Sequence, residues 1–370
     1  QYTNNIGVCM VTAGPGSVNA LTGVAAGWMD STPMLVVSGQ VKRVDLCHGK
    51  GIRQLGFQEI DIVSMVKPIT KYAVTIKEPS EVRYHMEKAL WLARNGRPGP
   101  SWVDIPLDVQ AAEIDPSTQE GFSPNKTDTA RTIDPDSLSK KVQDVLVLLG
   151  QSERPMMLIG NGVRLANSEN AFLELAGRLQ VPVLTTWKAL DLLTQDDPLF
   201  IGRPGAVAQR AANLAQQRSD WFLMLGARMD MGQTAYMHKY LAPNAKRIMV
   251  DIDKAEIEKM STDIQVSIAV SADDFIEEKI REWNKKNYHP LKEGYMRSQI
   301  MWHIKNKRMP PNYDKPIYKE FGIRQPPEPG IKNPINYTIR IAFRAKNRGT
   351  RPNPKKKKPN NQDKKKGPEI

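Results

Sequence analysis

Five stretches hold the residues whose types and spacing could do chemistry. The first, Ala13-Gly14-Pro15-Gly16-Ser17-Val18-Asn19, follows the apolar run Val8-Cys9-Met10-Val11-Thr12. Gly-Pro-Gly reads as a tight turn outside any helix. A helix should follow, with Ser17 as N-cap and Val18, Leu21, Ala25 and Trp28 on one face. Asp30-Ser31-Thr32-Pro33 ends it, and Met34-Leu35-Val36-Val37-Ser38-Gly39 is a second buried strand leading to Gln40. Strand, turn, helix and strand make a βαβ unit with parallel strands, whose ligands collect beyond the carboxyl ends of the strands and at helix N-termini. Gly14, Pro15, Gly16, Asn19 and Gln40 all fall at that end. On spacing alone, a plain turn with Asn19 on a helix surface is the simpler competing reading.

The other four stretches are more ambiguous. His48, in the polar loop Val41–Gly51, has the chemistry of an acid–base group or a ligand. No second His, Cys or carboxylate stands nearby at metal spacing, so a solvated loop histidine is the simpler account. Gly56-Phe57-Gln58-Glu59-Ile60-Asp61 reads, on its residues alone, as a helix start with Phe57 in the core. Gly160-Asn161-Gly162 after the apolar run Met156–Ile159 lacks the third glycine of a dinucleotide turn. Asp251 and Asp253, after a later strand, are placed either to take ribose hydroxyls or to cap the next helix.

The elements that position these residues alternate throughout. Strands are expected at Tyr72–Ile76 and Ser101–Pro106, with a helix between them burying Val82, Met86, Ala89, Leu90 and Ala93. After a polar, proline-bearing connector comes a helix with Leu138, Val142, Val145, Leu146 and Leu149 on its apolar face. A helix burying Phe172, Leu175, Ala176 and Leu179 joins strands at 155–159 and 181–186, and further strands follow at 221–228, 247–253 and 266–270. Near-continuous apolar strands between amphipathic helices predict an α/β protein with two doubly wound parallel-sheet domains. Their expected limits are residues 1–115 and 136–282, with a linker at 116–135 and a basic tail at 283–370.

Composition narrows the function classes. The net charge of +13 invites a nucleic-acid reading, but residues 281–370 hold 24 Lys and Arg against 7 Asp and Glu, leaving 29 against 33 before them. The basicity is therefore a property of the tail, which also carries twelve of the 27 prolines, and a disordered extension is expected there. No folded nucleic-acid motif accompanies it. No apolar run is long enough to span a membrane, and no secretory leader is evident at Gln1-Tyr2-Thr3-Asn4-Asn5. Two cysteines imply no disulfide framework, so a reducing, cytoplasmic setting is expected.

Several blocks in order carry a resemblance. Ala13–Gly23, Trp28–Pro33, Ser38-Gly39-Gln40-Val41, Gly56–Asp61, Gly96-Arg97-Pro98-Gly99-Pro100 and Asp104–Val109 resemble the pyrimidine-binding domain of thiamine-diphosphate enzymes, most of all the acetolactate synthase group. Leu225-Gly226-Ala227-Arg228 and Val250–Ile257 resemble the central domain of the same superfamily. The resemblance covers roughly residues 5–280. It implies a carboligase or decarboxylase acting on a 2-keto acid, with Pro15, Asn19 and Gln40 near the pyrimidine and Phe57 and Gln58 facing substrate. An aromatic wall would exclude water there, and an amide would hydrogen-bond a substrate carbonyl. In the central domain it implies an FAD site with Arg228, Asp251 and Asp253. A homodimer or homotetramer is implied as well.

The same resemblance predicts what this chain does not supply. The family's glutamate that contacts the pyrimidine precedes the strand near Gly7, and Glu59 lies in a different block and is no substitute. No Gly-Asp-Gly occurs anywhere, so the Mg²⁺ and diphosphate site is expected on a missing domain and this chain alone is expected to be inactive. Three departures stand against carrying over the synthases' flavin site and their acetolactate chemistry. Gly202-Arg203-Pro204-Gly205 and Trp187-Lys188-Ala189-Leu190-Asp191 replace segments that resemble flavin-site loops in the synthases. Leu107 stands where those enzymes usually carry a lysine, and cannot pair with a substrate carboxylate. A non-catalytic nucleotide-binding protein built on the central domain is the alternative.

Overall fold

A computed structural model describes residues 5–47, 49–125 and 133–286, with side chains to residue 282. His48 and the tail from residue 287 onward lie outside the described residues. The first half contains β1 (Gly7–Val11), α1 (Pro15–Met29), β2 (Met34–Gln40), α2 (Ile62–Val66), β3 (Tyr72–Thr75), α3 (Val82–Arg94), β4 (Pro100–Pro106) and α4 (Leu107–Gln110). Its four strands are parallel in the order β1-β2-β4-β3. The second half contains α5 (Pro135–Gly150), β5 (Pro155–Ile159), α6 (Gly162–Leu165), α7 (Glu169–Leu179), β6 (Val183–Thr185), β7 (Phe200–Gly202) and α8 (Arg210–Arg218). It continues with β8 (Trp221–Leu225), β9 (Lys246–Asp251), α9 (Lys254–Glu258), β10 (Val266–Ala269) and α10 (Ala272–Lys286), and its parallel sheet runs β10-β9-β8-β5-β6-β7.

Two parallel α/β sheets are thus present, as the alternation of patterns predicts. The helices with a strong 3.6-residue period bury the expected faces: Leu138, Val142, Val145, Leu146 and Leu149 of α5, and Phe172, Leu175, Ala176 and Leu179 of α7. Asp134 caps α5 by accepting the N–H groups of Asp136 and Ser137, and Pro135 takes the first helical position, where its missing donor costs nothing.

Helix α1 differs from the expectation in three ways. It begins at Pro15, so the Gly-Pro-Gly segment is its first turn rather than a turn outside it, and Gly14 is the N-cap. Ser17 does not cap: its hydroxyl donates to the carbonyl of Thr12 at 2.8 Å. The buried stripe is Ser17, Val24 and Gly27, with Ala20 and Leu21 partly covered, while Trp28 is exposed. The sequence pattern was out of phase because small residues, Ser17 and Gly27, do the close packing. Strand β1 is also not a buried strand among the described residues. It pairs with β2 alone and leaves Val8 and Met10 exposed, Met10 by 80%. Strand β7 and helix α8 were not anticipated, since three residues and a short alanine–glutamine segment carry little period.

Candidate functional site

The carboxyl end of the first sheet brings two of the sequence stretches together. Gly14 adopts φ +58° and ψ −116°, a conformation open essentially to glycine. A Cβ there would lie 2.1 Å from the carbonyl oxygen of Gln58, which itself has a positive φ of 59°. The Gly14 turn and the Phe57–Gln58 loop are therefore packed backbone to backbone. Pro15, Asn19, Phe57 and Gln58 are all exposed around this contact, Phe57 by 85%. Phe57 is not a core residue, and the helix expected to begin here starts at Ile62 instead. Gly16 is half-buried, and a Cβ there would meet the Thr12 methyl at 2.6 Å.

Gln40 sits beneath this surface rather than on it. Its Nε2 donates to the carbonyl of Ile60 at 3.0 Å and to Asp104 at 3.2 Å, and its Oε1 accepts the Val41 N–H at 2.9 Å. Glu59, also buried, accepts the N–H groups of Cys47, Leu55 and Gly56 at 2.5, 3.0 and 3.3 Å. Burial works to raise the Glu59 pKa, but these donors outweigh it and hold the carboxyl below its usual range. Its contribution is therefore present above the ordinary carboxylate range and lost as pH falls through the lowered value. Glu59→Ala should cost about 2 kcal/mol, since two donors lose their acceptor, and should speed hydrogen exchange at Cys47 and Leu55, whereas the Gly56 N–H keeps the Asp45 carbonyl at 3.0 Å.

The second sheet builds a different cavity. Its strand order places β6 and β8 on opposite sides of β5, so the carboxyl end of β5 is the topological switch point where crevices form. Gly160, Gly162 and Gly226 meet there so closely that a Cβ on Gly160 would lie 2.0 Å from the Gly226 carbonyl. A cavity of about 440 Å³ opens above them, lined also by Trp187, Arg228 and Asp251. Burial pushes the Asp251 carboxyl up, and the Asp253 N–H, which donates to it at 2.9 Å, opposes that rise.

Asp253 is engaged elsewhere. It caps α9 through the Ala255 N–H and pairs with Arg97 of the first half at 2.7 Å. Arg97 also contacts Glu256 at 2.8 Å and donates to Ser31 at 2.9 Å. Lys188 pairs with Asp30, and Arg228 donates to the Met29 carbonyl, so three cations tie the halves together beside the cavity. Arg97→Ala should cost about 1–2 kcal/mol, these groups being only partly buried, and should separate the melting of the two halves in calorimetry. Sequence reasoning missed the roles of Arg97, Glu59 and Asp104. Only Asp104 carried a signal in its pattern, as a lone acid within an apolar strand.

Comparison with known proteins agrees with this architecture. Residues 1–65 match the family described as thiamine pyrophosphate enzyme, N-terminal TPP binding domain, and residues 142–278 match its central domain. The acetolactate synthase large subunit of Corynebacterium glutamicum is 35% identical over 281 residues, covering 74% of this chain and 41% of the relative. The chain belongs to the acetolactate synthase-like thiamine pyrophosphate enzymes. A probable acetolactate synthase large subunit of Methanocaldococcus jannaschii is 36% identical over 263 residues, 70% of this chain and 42% of that protein. Isozyme 1 of Escherichia coli is 33% identical over 299 residues, 80% and 48%. The chain thus spans less than half the length of these thiamine pyrophosphate enzyme relatives. Gly14 to Gln58 fall in the matched N-terminal domain, and Arg228, Asp251 and Asp253 in the matched central domain. No helix among the described residues is long and apolar enough to cross a membrane, and no cluster of three or more His, Cys, Asp or Glu is arranged there to hold a metal.

Proposed function

We propose that this chain carries the pyrimidine-holding and central domains of a thiamine-diphosphate-dependent carboligase or decarboxylase acting on a 2-keto acid. The observation that carries the reading is the contact of Gly14 with the Gln58 carbonyl. It sets Pro15 and Asn19, at the N-terminus of α1, beside Phe57 and Gln58 on one open surface beyond the strand ends. The bound coenzyme supplies an electron sink next to a substrate carbonyl. In this reading Pro15 and Asn19 hold the aminopyrimidine edge, Phe57 excludes water, and Gln58 donates to the substrate carbonyl. Gly14 and Gly16 allow close backbone approach, and Gln40 supports the surface from below. Leu107, exposed at the start of α4, offers no cation to a carboxylate, so another 2-keto acid or acyl donor fits as well as that of the synthases.

The reading assigns the diphosphate and its Mg²⁺ to a further domain and the complete site to a homodimer or homotetramer, in the cytoplasm. It gives the basic tail no part in nucleic-acid binding. FAD belongs in the 440 Å³ cavity, where the glycine crossing admits a phosphate-bearing ligand close to the backbone and Arg228 and Asp251 line the wall. Asp253, tied to Arg97, would act on it only indirectly. That cavity also favours the second reading, a non-catalytic nucleotide binder. Titration calorimetry of the full chain with thiamine diphosphate, FAD and NAD separates them. Asn19→Ala should weaken thiamine diphosphate alone, and Asp251→Asn should weaken FAD alone. Tight nucleotide binding with no heat from thiamine diphosphate, in wild type or variants, would favour the second reading.

A further inference from the structure

Asp104 is 1% exposed in the middle of β4, within an otherwise apolar stretch. Parallel registration sets it directly beside Ser38 of β2 and Thr75 of β3, so all three side chains share the face that α1 and α2 cover. Its carboxylate accepts from the Ser38 hydroxyl at 2.5 Å, the Thr75 hydroxyl at 3.0 Å and the Gln40 amide at 3.2 Å. Ser38 in turn accepts from the indole N–H of Trp102 at 2.8 Å. Desolvation pushes the Asp104 carboxyl up, and the three donors oppose that rise. An apolar side chain at this place would avoid the whole cost of burying an acid, so the network asks for a purpose beyond strand packing.

The chain of donors leads out of the sheet. From Asp104 it passes to Gln40, whose Nε2 also reaches the carbonyl of Ile60 at 3.0 Å. Ile60 is two residues from Gln58, and the intervening Glu59 fixes the preceding loop through three N–H groups. An amide held on one side by a carboxylate cannot turn its oxygen toward the Ile60 carbonyl without facing two acceptors at once. We infer that Asp104 is a positioning residue: by orienting Gln40 it fixes the loop that carries Phe57 and Gln58. This rests on the proposal that the loop faces substrate, since only then does fixing it bear on the reaction.

Hydrogen exchange of the full chain, read by mass spectrometry over residues 41–60, tests the relay without coenzyme or substrate. Asp104→Ala and Gln40→Leu should each speed exchange there about tenfold, and the double variant should go no further than the worse single one. Asp104→Asn should restore near wild-type exchange, because its carbonyl can still accept from Gln40 while the Ser38 hydroxyl turns to accept from its NH₂. Val103→Ala, a core truncation next door on the opposite face of β4, is the control and should leave the loop unchanged. Equal loosening in Val103→Ala and Asp104→Ala would overturn the inference, as would an unchanged loop in both Asp104→Ala and Gln40→Leu. If Asp104→Ala does not fold, Thr75→Val and Gln40→Leu carry the same comparison. A loop that loosens as described but never responds to thiamine diphosphate would contradict the functional proposal and leave the relay standing.

Discussion

Gly14→Ala should lower the stability of the first half by about 3 kcal/mol or more, while Gly23→Ala in the same helix should raise it by up to about 1 kcal/mol. The two glycines differ in backbone conformation and in surroundings. A Cβ on Gly14 would overlap the Gln58 carbonyl at 2.1 Å, in a φ,ψ region that alanine avoids. Around Gly23 nothing lies within 4 Å, and the residue is helical, so alanine removes unfolded-state freedom without a clash. The midpoint of thermal unfolding should fall by roughly 6–12 °C in the first variant. The Phe57–Gln58 loop should loosen with it, since the clash is with that loop. An unchanged midpoint for Gly14→Ala would mean that turn and loop do not touch.

Lys279→Met should stabilise the second half, most strongly at and below neutral pH. Lys279 is fully buried in α10, with its ammonium 5.3 Å from the Trp221 ring and 5.6 Å from that of Phe275. No hydrogen-bond partner reaches it among the described residues. Desolvation lowers its pKa from 10.5 to about 7. A group whose folded pKa is depressed in this way binds more protons unfolded than folded between the two values. Wild-type stability should therefore rise with pH from about 7 toward 10.5, at up to about 1.4 kcal/mol per pH unit, roughly 5 kcal/mol across the window. Urea unfolding at a series of pH values would show this slope, and Lys279→Met should flatten it. A wild-type slope that survives in the variant would place its source elsewhere.

The sequence carried most of the architecture. Helices α5 and α7 announce their buried faces because five and four apolar residues, nearly all of them large, repeat at helical spacing. Helix α1 does not, because Ser17 and Gly27 pack by being small, and hydrophobicity patterns count only large residues. Its cap differs from the expected Ser17 for a related reason. A serine after Gly-Pro-Gly looks like a helix start, yet Pro15 with its fixed φ already begins the helix. At the site, Gly14, Pro15, Asn19, Phe57 and Gln58 were visible as residues but their adjacency was not, because a contact between residues 14 and 58 leaves no local period. Gln40 and Asp253 were visible as polar groups, whereas their partners Ile60, Asp104 and Arg97 exist only through tertiary structure.

The central claim is that the surface around Gly14 holds the aminopyrimidine half of thiamine diphosphate. Backbone amide spectra of the isotopically labelled chain, recorded while thiamine diphosphate is added, address it most directly. The account predicts shifts concentrated at the N–H groups of Gly16, Asn19, Phe57 and Gln58, abolished by Asn19→Ala, with Gly160 and Gly226 unmoved. Shifts confined to the cavity lined by Gly160, Gly226 and Asp251, or no shift anywhere at millimolar ligand, would contradict it.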